Sequence, residues 1–163
     1  MLKRIKGNLI NLAEEGEFDI IIHGCNCQNT MGSGIAKALR DKWPDVYEAD
    51  RQAALRWQAP VARLGNFSTY TTASLKGTPL VVVNAYTQLH YLPRGIDHFE
   101  YESFYLILKK LSTELGKYNF GIPFIGMGLA GGDPGRILPM IEKFAQDVSK
   151  TGGSVTLVEY DLS

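Results

Sequence analysis

The sequence predicts an α/β protein, a three-layer α/β/α sandwich with a mixed, mostly parallel sheet. Segments with strand and helix patterns alternate along the chain, which is typical of parallel strands joined by crossover helices. Residues 18–23 (FDIIIH) and 80–86 (LVVVNAY) are nearly continuous apolar runs, as expected for strands covered on both faces. Residues 99–115 repeat large apolar side chains at helical spacing, which indicates an amphipathic helix.

Each element follows from a local pattern. A short amphipathic stretch at 3–12 and the apolar run at 18–23 predict the first two strands. A helix is expected at 35–43, which stops before Pro44 because a residue preceding proline avoids helical geometry. The other expected elements are a helix at 45–57, strands at 62–70 and 80–86, a helix at 99–115, a strand at 121–126, a helix at 134–150 and a strand at 155–160. The length of 163 residues predicts a single domain over 1–163.

Composition and charge exclude several classes of function. The chain has 17 Lys+Arg and 17 Asp+Glu, so its formal net charge is zero. General nucleic-acid binding and attraction to an anionic membrane both need a surplus of cations, so neither is expected. No apolar run approaches the ~20 residues that span a bilayer, and charges interrupt the apolar stretches of the N-terminus, which argues against a signal peptide. We expect a cytoplasmic protein that acts as a monomer.

The cysteines and histidines give weak support for a metal site. Cys25 and Cys27 are one residue apart, which is poor geometry for a mutual disulfide and fits a reducing compartment. With His23 they would share one face of a strand, but zinc needs further ligands and no CxxC or HxxxH pair supplies them. No metal and no cofactor are expected. Cys27 stays open between a nucleophile and a small packing residue.

Two glycine-rich stretches follow predicted strands and lead into predicted helices. One is GCNCQNTMGSGIAKAL, after the strand at 18–23, and the other is GMGLAGGDPGRIL, after GIPFI. Glycine lets the backbone approach a ligand, and successive N–H groups at a helix start attract anions. Two such loops at the carboxyl ends of parallel strands suit a diphosphate. Neither loop matches the GxxxxGK[ST] phosphate loop or the dinucleotide-binding fingerprint.

These stretches together resemble the macrodomain family. The resemblance rests on FDIIIHGCN, on GSGIA opening a helix and on IPFIGMGLAGGD, and it covers about residues 7–160. It implies an α/β/α fold that binds ADP-ribose. The HGCN and GLAGGD segments look most like the ADP-ribose-1″-phosphate phosphatase branch of fungi and bacteriophages.

The resemblance also implies which residues bind the ligand. The adenine contact of the family matches Asn8 and Leu9, and the distal-ribose asparagine matches Asn26. The loops that bind the diphosphate and the terminal ribose match Met31, Gly32, Ser33, Gly34 and Ile35, and then Gly126, Met127, Gly128, Leu129, Ala130 and Gly131. Ala130 stands where many relatives carry an aromatic residue, which implies a more open pocket with room for a terminal phosphate.

Three further residues are candidates for the site. His23 ends a buried strand, either as a proton donor or acceptor or as a core imidazole bonded to the backbone. Asp133 stands before Pro134, either as a helix cap or as a general base or nucleophile. Tyr86 ends a buried strand on the binding side and either faces the ligand or packs. We assign His23 and Asp133 as catalytic and Tyr86 as ligand-binding.

The expected activity is hydrolysis of ADP-ribose 1″-phosphate to ADP-ribose and phosphate, with a small molecule as the partner. Positioning and electrostatics supply most of the rate in such a reaction. Two alternatives stay open. One is an ADP-ribosyl hydrolase that acts on protein or nucleic acid, and the other is a non-catalytic reader that binds or sequesters ADP-ribose.

Overall fold

A six-stranded sheet forms the centre of the part of the chain that the structure describes. The structure, a computed structural model, describes residues 1–93, 95–128 and 130–160. The strands lie in the order β1-β6-β5-β2-β4-β3. Their bounds are β1 Leu2–Gly7, β2 Ile20–Asn26, β3 Phe67–Ala73, β4 Pro79–Gln88, β5 Asn119–Ile122 and β6 Ser154–Tyr160. β3 runs antiparallel to β4 and the other neighbours pair in parallel, which confirms the mixed, mostly parallel sheet.

Helices cover both faces of the sheet and complete the predicted three layers. They are α1 Leu9–Glu14, α2 Gly34–Lys42, α3 Pro44–Arg56, α4 Pro60–Arg63, α5 Tyr101–Leu115 and α6 Pro134–Ser149. The central strand β2 alternates between the two layers. Ile20 and Ile22 pack in a cluster with α5 and α6, whereas Ile21 packs in a second cluster with α1, α2 and α3. No helix in the described ranges is both long enough and apolar enough to cross a membrane.

The structure corrects three of the predicted boundaries. The stretch at 3–12 is not one strand, because Asn8 ends β1 and caps α1 by accepting a hydrogen bond from the backbone N–H of Asn11 at 3.0 Å. The stretch at 62–70 begins as the end of α4 and becomes extended only at Phe67. The strand at 121–126 in fact ends at Ile122, because Pro123 has no N–H for the ladder.

β1 is an edge strand. In the described sheet it pairs only with β6, from Leu2 opposite Val155 to Gly7 opposite Tyr160. Four consecutive side chains between Leu2 and Gly7 are exposed, and three of them are cations: Lys3, Arg4 and Lys6. The amphipathic pattern that predicted this strand therefore reflects an edge position, with water rather than protein beside it.

Candidate functional site

A cleft lies over the carboxyl ends of β5, β2 and β4, which are neighbours in the sheet. Ligands of parallel α/β sheets bind at this edge. The cleft has a volume of about 640 Å³, within the range of about 300–1,000 Å³ that is common for small-molecule sites. One wall is the loop between β2 and α2, and the other is the loop after β5, so the two glycine-rich stretches face each other.

Eight of the residues predicted to bind ligand line this cleft. They are Asn26, Gly32, Ser33, Gly34, Ile35, Gly126, Gly128 and Ala130. The same cleft is lined by Thr87 and Gln88 at the end of β4, and by Tyr91 and Phe124 in the loops after β4 and β5. Sequence reasoning did not assign these four, although Thr87 and Gln88 directly follow Tyr86 in the buried run of β4.

The glycines of the two loops serve two different purposes. A Cβ built on Gly32, Gly34 or Gly128 would meet no atom within 4 Å, so the backbone there borders open space of the cleft. By contrast, a Cβ on Gly126 would lie 2.3 Å from the ring of Phe99, and one on Gly131 would lie 2.6 Å from the carbonyl oxygen of Ile96. The first group leaves room for a ligand, and the second allows the loop to pack against the protein.

The start of α2 is open toward the cleft. Ser33 is its N-cap residue, but the side chain makes no capping hydrogen bond, whereas Asn8 caps α1 and Asp133 caps α6. The first residues of α2, Gly34, Ile35 and Ala36, line the cleft. Backbone N–H groups in the first turn of a helix have no partner within the helix, so this turn offers donors to an anion in the cleft.

The side chain of Asn26 shapes the first loop. Its Oδ1 accepts a hydrogen bond from the backbone N–H of Gln28 at 2.8 Å, and its Nδ2 donates to Oγ1 of Thr30 at 2.8 Å. Asn26 and Thr30 both line the cleft. The amide that the resemblance assigns to the distal ribose therefore also fixes the turn in which it stands.

The second loop is held by backbone hydrogen bonds. The N–H of Gly132 donates to the carbonyl of Gly126 at 2.7 Å, and the N–H of Gly131 donates to that of Gly128 at 3.0 Å. The carbonyl of Ala130 accepts from the N–H of His98 at 2.7 Å. The loop is thus closed on itself and attached to the segment that precedes α5.

His23 is buried and is not among the residues found to line the cleft, which argues against the catalytic role expected for it. The side chain is 1% exposed, and Nε2 lies 2.6 Å from Oδ1 of Asn84. The amide nitrogen of Asn84 donates to the carbonyl of Val46 in α3, so Oδ1 faces His23 and Nε2 carries the proton. Burial lowers the pKa of His23 to about 4, against the opposing effect of the Asn84 hydrogen bond. The histidine is a neutral residue between the sheet and α3.

Tyr86 is also buried outside the cleft, which argues against its predicted contact with ligand. Its hydroxyl donates to Oδ1 of Asp50 at 2.7 Å and lies 2.9 Å from Oγ of Ser68. Burial raises the pKa of Tyr86, and burial likewise raises the pKa of Asp50. The Tyr86 hydroxyl thus links β4 to β3 and to α3 by hydrogen bonds. The next two residues of β4, Thr87 and Gln88, line the cleft.

Asp133 is an exposed helix cap. Its Oδ1 accepts from the N–H of Gly135 at 2.9 Å, and its own backbone N–H donates to the hydroxyl of Tyr101 at 2.9 Å. Asp133 is not among the residues found to line the cleft, although Ala130, three residues earlier, is. The capping function is therefore observed, and the catalytic role of Asp133 stays a prediction.

Several other residues predicted to contact the ligand are instead part of the core or cap a helix. Leu9 and Met31 are 5% and 1% exposed and belong to the apolar cluster under α1, α2 and α3. Asn8 caps α1. None of these three is found among the cleft-lining residues, and the same holds for Met127 and Gly131. Leu129 lies outside the described residues.

Neither cysteine has the environment of a nucleophile. Cys25 and Cys27 are free and buried. Burial raises the pKa of the Cys27 thiol to about 12, although Arg63 opposes the shift, and burial also raises the pKa of Cys25. Both thiols are protonated at neutral pH, as expected for packing residues. Among residues 1–93, 95–128 and 130–160, no three His, Cys, Asp or Glu side chains are grouped as a metal site requires.

Comparison with solved structures defines the class of fold. A macrodomain protein of Streptomyces coelicolor superposes with a TM-score of 0.71 at 23% identity, over 100% of both chains. The macrodomain of Mycobacterium tuberculosis DarG gives 0.72 at 19% identity, over 100% of this chain and 99% of that one. A protein of unknown function from Bacteroides thetaiotaomicron gives 0.77 at 24% identity, over 98% of both. The sheet and its helices thus have the macrodomain fold.

Sequence comparison adds relatives. The chain is 34% identical over 137 residues to an uncharacterized 17.5 kDa protein in the tk-vs intergenic region of Enterobacteria phage T4, covering 82% of this chain and 83% of that protein. An ADP-ribose 1″-phosphate phosphatase of Neosartorya fischeri is 44% identical over 46 residues, 28% of this chain and 22% of the enzyme. No model of a protein family matches the sequence. The chain belongs to the same family as this phage protein, and its fold is that of the macrodomains.

Proposed function

We propose that this macrodomain binds ADP-ribose 1″-phosphate in the cleft and hydrolyses its phosphomonoester, giving ADP-ribose and phosphate. The observation that carries the proposal is the pair of open loops. Gly32, Gly34 and Gly128 border the cleft with no atom within 4 Å of a Cβ position. A chain of phosphate groups can therefore approach the backbone closely, and the uncapped first turn of α2 supplies N–H donors.

The similarity to phosphatases supports the choice of substrate. The matched segments are short, and this chain spans 22% of the curated ADP-ribose 1″-phosphate phosphatase of Neosartorya fischeri and 28% of that of Scheffersomyces stipitis. A solved structure with a TM-score of 0.75, at 17% identity, is Thermosipho africanus DarTG in complex with ADP-ribose. The superposition covers 99% of this chain and 42% of the DarTG chain. ADP-ribose is thus the ligand of that complex and part of the substrate of those enzymes, which supports the same nucleotide here.

The proposed reaction needs little covalent chemistry from the protein. Water attacks phosphorus, the bond from phosphorus to the C1″ oxygen breaks, and that oxygen takes a proton from solvent water. Backbone N–H groups that bind the phosphoryl oxygens stabilise the charge of the transition state. Asp133 is proposed to accept the proton of the attacking water with the carboxylate that also caps α6.

Binding without hydrolysis is a second candidate, and one observation favours it. Among the described residues that line the cleft there is no Asp, Glu, His, Lys or Arg. Polar groups there are the amides and hydroxyls of Asn26, Gln88, Thr30, Ser33 and Thr87, together with the phenol of Tyr91. Such a set can recognise a ribose and a diphosphate with no acid or base in place.

The experiment combines binding and turnover on the purified chain. Calorimetry with ADP-ribose tests the site, and phosphate release from ADP-ribose 1″-phosphate tests the phosphatase. Release of ADP-ribose from modified protein or nucleic acid is measured in parallel. Tight binding with no turnover of any substrate would replace the phosphatase by a reader, and release from a macromolecule alone would replace it by an ADP-ribosyl hydrolase.

A matched pair of glycine variants locates the site. Gly34 has φ +59° and Gly77, in the turn between β3 and β4, has φ +79°, and a Cβ on either meets no atom within 4 Å. Alanine at either position carries the same backbone penalty, about 1–2 kcal/mol. Only Gly34→Ala should weaken ADP-ribose binding, because only Gly34 borders the cleft. Equal affinity in the two variants would place the ligand elsewhere.

A further inference from the structure

We infer that Arg63, a buried arginine of α4, is a positioning residue of the nucleotide site that acts on the first glycine-rich loop through Asn29. The inference rests on the proposed binding of ADP-ribose in the cleft. Arg63 is 5% exposed and lies on the α3 side of the sheet, and it is not among the cleft-lining residues. Its effect on a ligand must therefore be indirect.

The guanidinium joins two segments that are distant in sequence. Nε donates to the carbonyl of Trp57 at 2.9 Å, and Nη2 donates to the carbonyl of Gln58 at 3.3 Å, both in the connection from α3 to α4. Nη1 donates to the carbonyl of Cys27 and to Oδ1 of Asn29 at 3.2 Å. Cys27 directly follows β2, so Arg63 fixes the first residues of the loop as it leaves the sheet.

Asn29 is the point at which the loop changes direction. Its φ is +57°, the left-handed region that asparagine tolerates better than other residues with a side chain. Its carbonyl accepts a hydrogen bond from the hydroxyl of Tyr47 in α3 at 3.1 Å. The guanidinium of Arg40 lies 3.9 Å above the Tyr47 ring. Asn29 is thus fixed through its side chain by Arg63 and through its backbone carbonyl by Tyr47. It lies three residues before Gly32, which borders the cleft.

The chemistry of the residue favours positioning over simple packing. No ion pair to Arg63 is found within the described ranges, so carbonyl and amide oxygens solvate the buried charge. A buried charge is expensive to desolvate, and an apolar residue of similar volume often stabilises a core as well or better. What arginine adds is a rigid planar fork that reaches several acceptors at once, which lysine cannot reproduce. Here those acceptors set the shape of the loop.

The test compares ADP-ribose with AMP, which lacks the second phosphate and the terminal ribose. The resemblance assigns those two groups to the first loop, so a displaced loop should weaken ADP-ribose more than AMP. We expect Arg63→Met and Arg63→Lys to raise the dissociation constant of ADP-ribose about tenfold or more, with a much smaller change for AMP. Asn29→Gly tolerates the positive φ and removes the side chain that carries the Oδ1 acceptor, so it should show the same pattern to a smaller degree.

Two controls separate loop position from general stability. Leu111→Ala removes a fully buried side chain of α5 on the opposite face and should lower the melting temperature with no change in either dissociation constant. Arg51→Met removes an exposed arginine of α3 and should change neither quantity. If Arg63→Met does not fold, Asn29→Gly and Arg63→Lys carry the test.

The outcomes are distinguishable. Wild type that binds no ADP-ribose would overturn the proposed function and this inference with it. Wild type that binds while the Arg63 and Asn29 variants bind equally well would overturn the inference alone. Equal weakening of ADP-ribose and AMP would also overturn it, because a general structural effect would then explain the loss.

Discussion

The burial of His23 predicts a specific loss of stability in mild acid. Unfolding returns the imidazole to its ordinary pKa of 6.5, whereas the folded protein holds the pKa at about 4. Between these values the unfolded chain binds more protons, so stability is full above about pH 6.5 and falls as the pH drops toward about 4. At pH 5 the difference corresponds to about 2 kcal/mol, or roughly 4–8 °C in melting temperature for a domain of this size.

The assay is chemical and thermal unfolding of wild type and His23→Gln between pH 7.5 and pH 4.5. Glutamine keeps a side-chain N–H for Oδ1 of Asn84 and has no proton to gain. Asp50 acts in the opposite direction, because a raised carboxyl pKa in the folded state favours folding as the pH falls. It is present in both proteins and cancels in their difference. A difference between the two proteins that does not change with pH would refute the assignment of a buried neutral histidine.

Three other predictions follow from the cleft and from Asp133. ADP-ribose at a hundredfold excess over its dissociation constant should add about 2.7 kcal/mol and raise the melting temperature by roughly 5–10 °C, and no shift at millimolar ligand would contradict the site. Asp133→Asn should keep the cap and its stability but lower kcat by about 10²-fold, and an unchanged kcat would leave Asp133 as a cap alone. Phosphate release should survive dialysis against EDTA, and its loss with recovery on adding zinc or magnesium would show a metal requirement.

The sheet and the cleft were largely predictable because the signals are local. Continuous apolar runs predicted β2 and β4 within a few residues, and proline placed the end of α2 within one residue. Glycine-rich loops after parallel strands predicted a site at the carboxyl edge, and eight of the predicted ligand residues line the cleft. The pattern of glycines did not tell the open ones from the packed ones, because that difference depends on Phe99 and on Ile96, both distant in sequence.

The chemical assignments were less predictable because they depend on the direction of a side chain. His23 stands on β2 next to Gly24 and Cys25, which do line the cleft, but its ring points to α3, where Asn84 bonds it. The side chain of Tyr86 likewise points away from the cleft, and its hydroxyl bonds to Ser68 and Asp50. His23 and Cys25 share one face of β2, so their difference comes from position along the strand, because Cys25 and Asn26 lie at its carboxyl end and His23 lies further inside. Tyr86 and Thr87 differ by face, and a register shift between Cys25 and Asn26 adds to the ambiguity. The α4 turn with Arg63 has only four residues and was predicted as part of a strand.

The exposed edge of β1 has a consequence for self-association. A strand with unpaired N–H and C=O groups is a template on which a second chain can extend the sheet. Here the side chains at that edge include Lys3, Arg4 and Lys6, so a second copy would bring like charges together. These cations oppose edge-to-edge pairing of two sheets most strongly in dilute salt. At 1 M salt the screening length is about 3 Å, so the repulsion between the two edges largely disappears. As the ionic strength rises, the solubility of the protein should therefore decrease before the stability of its folded state does.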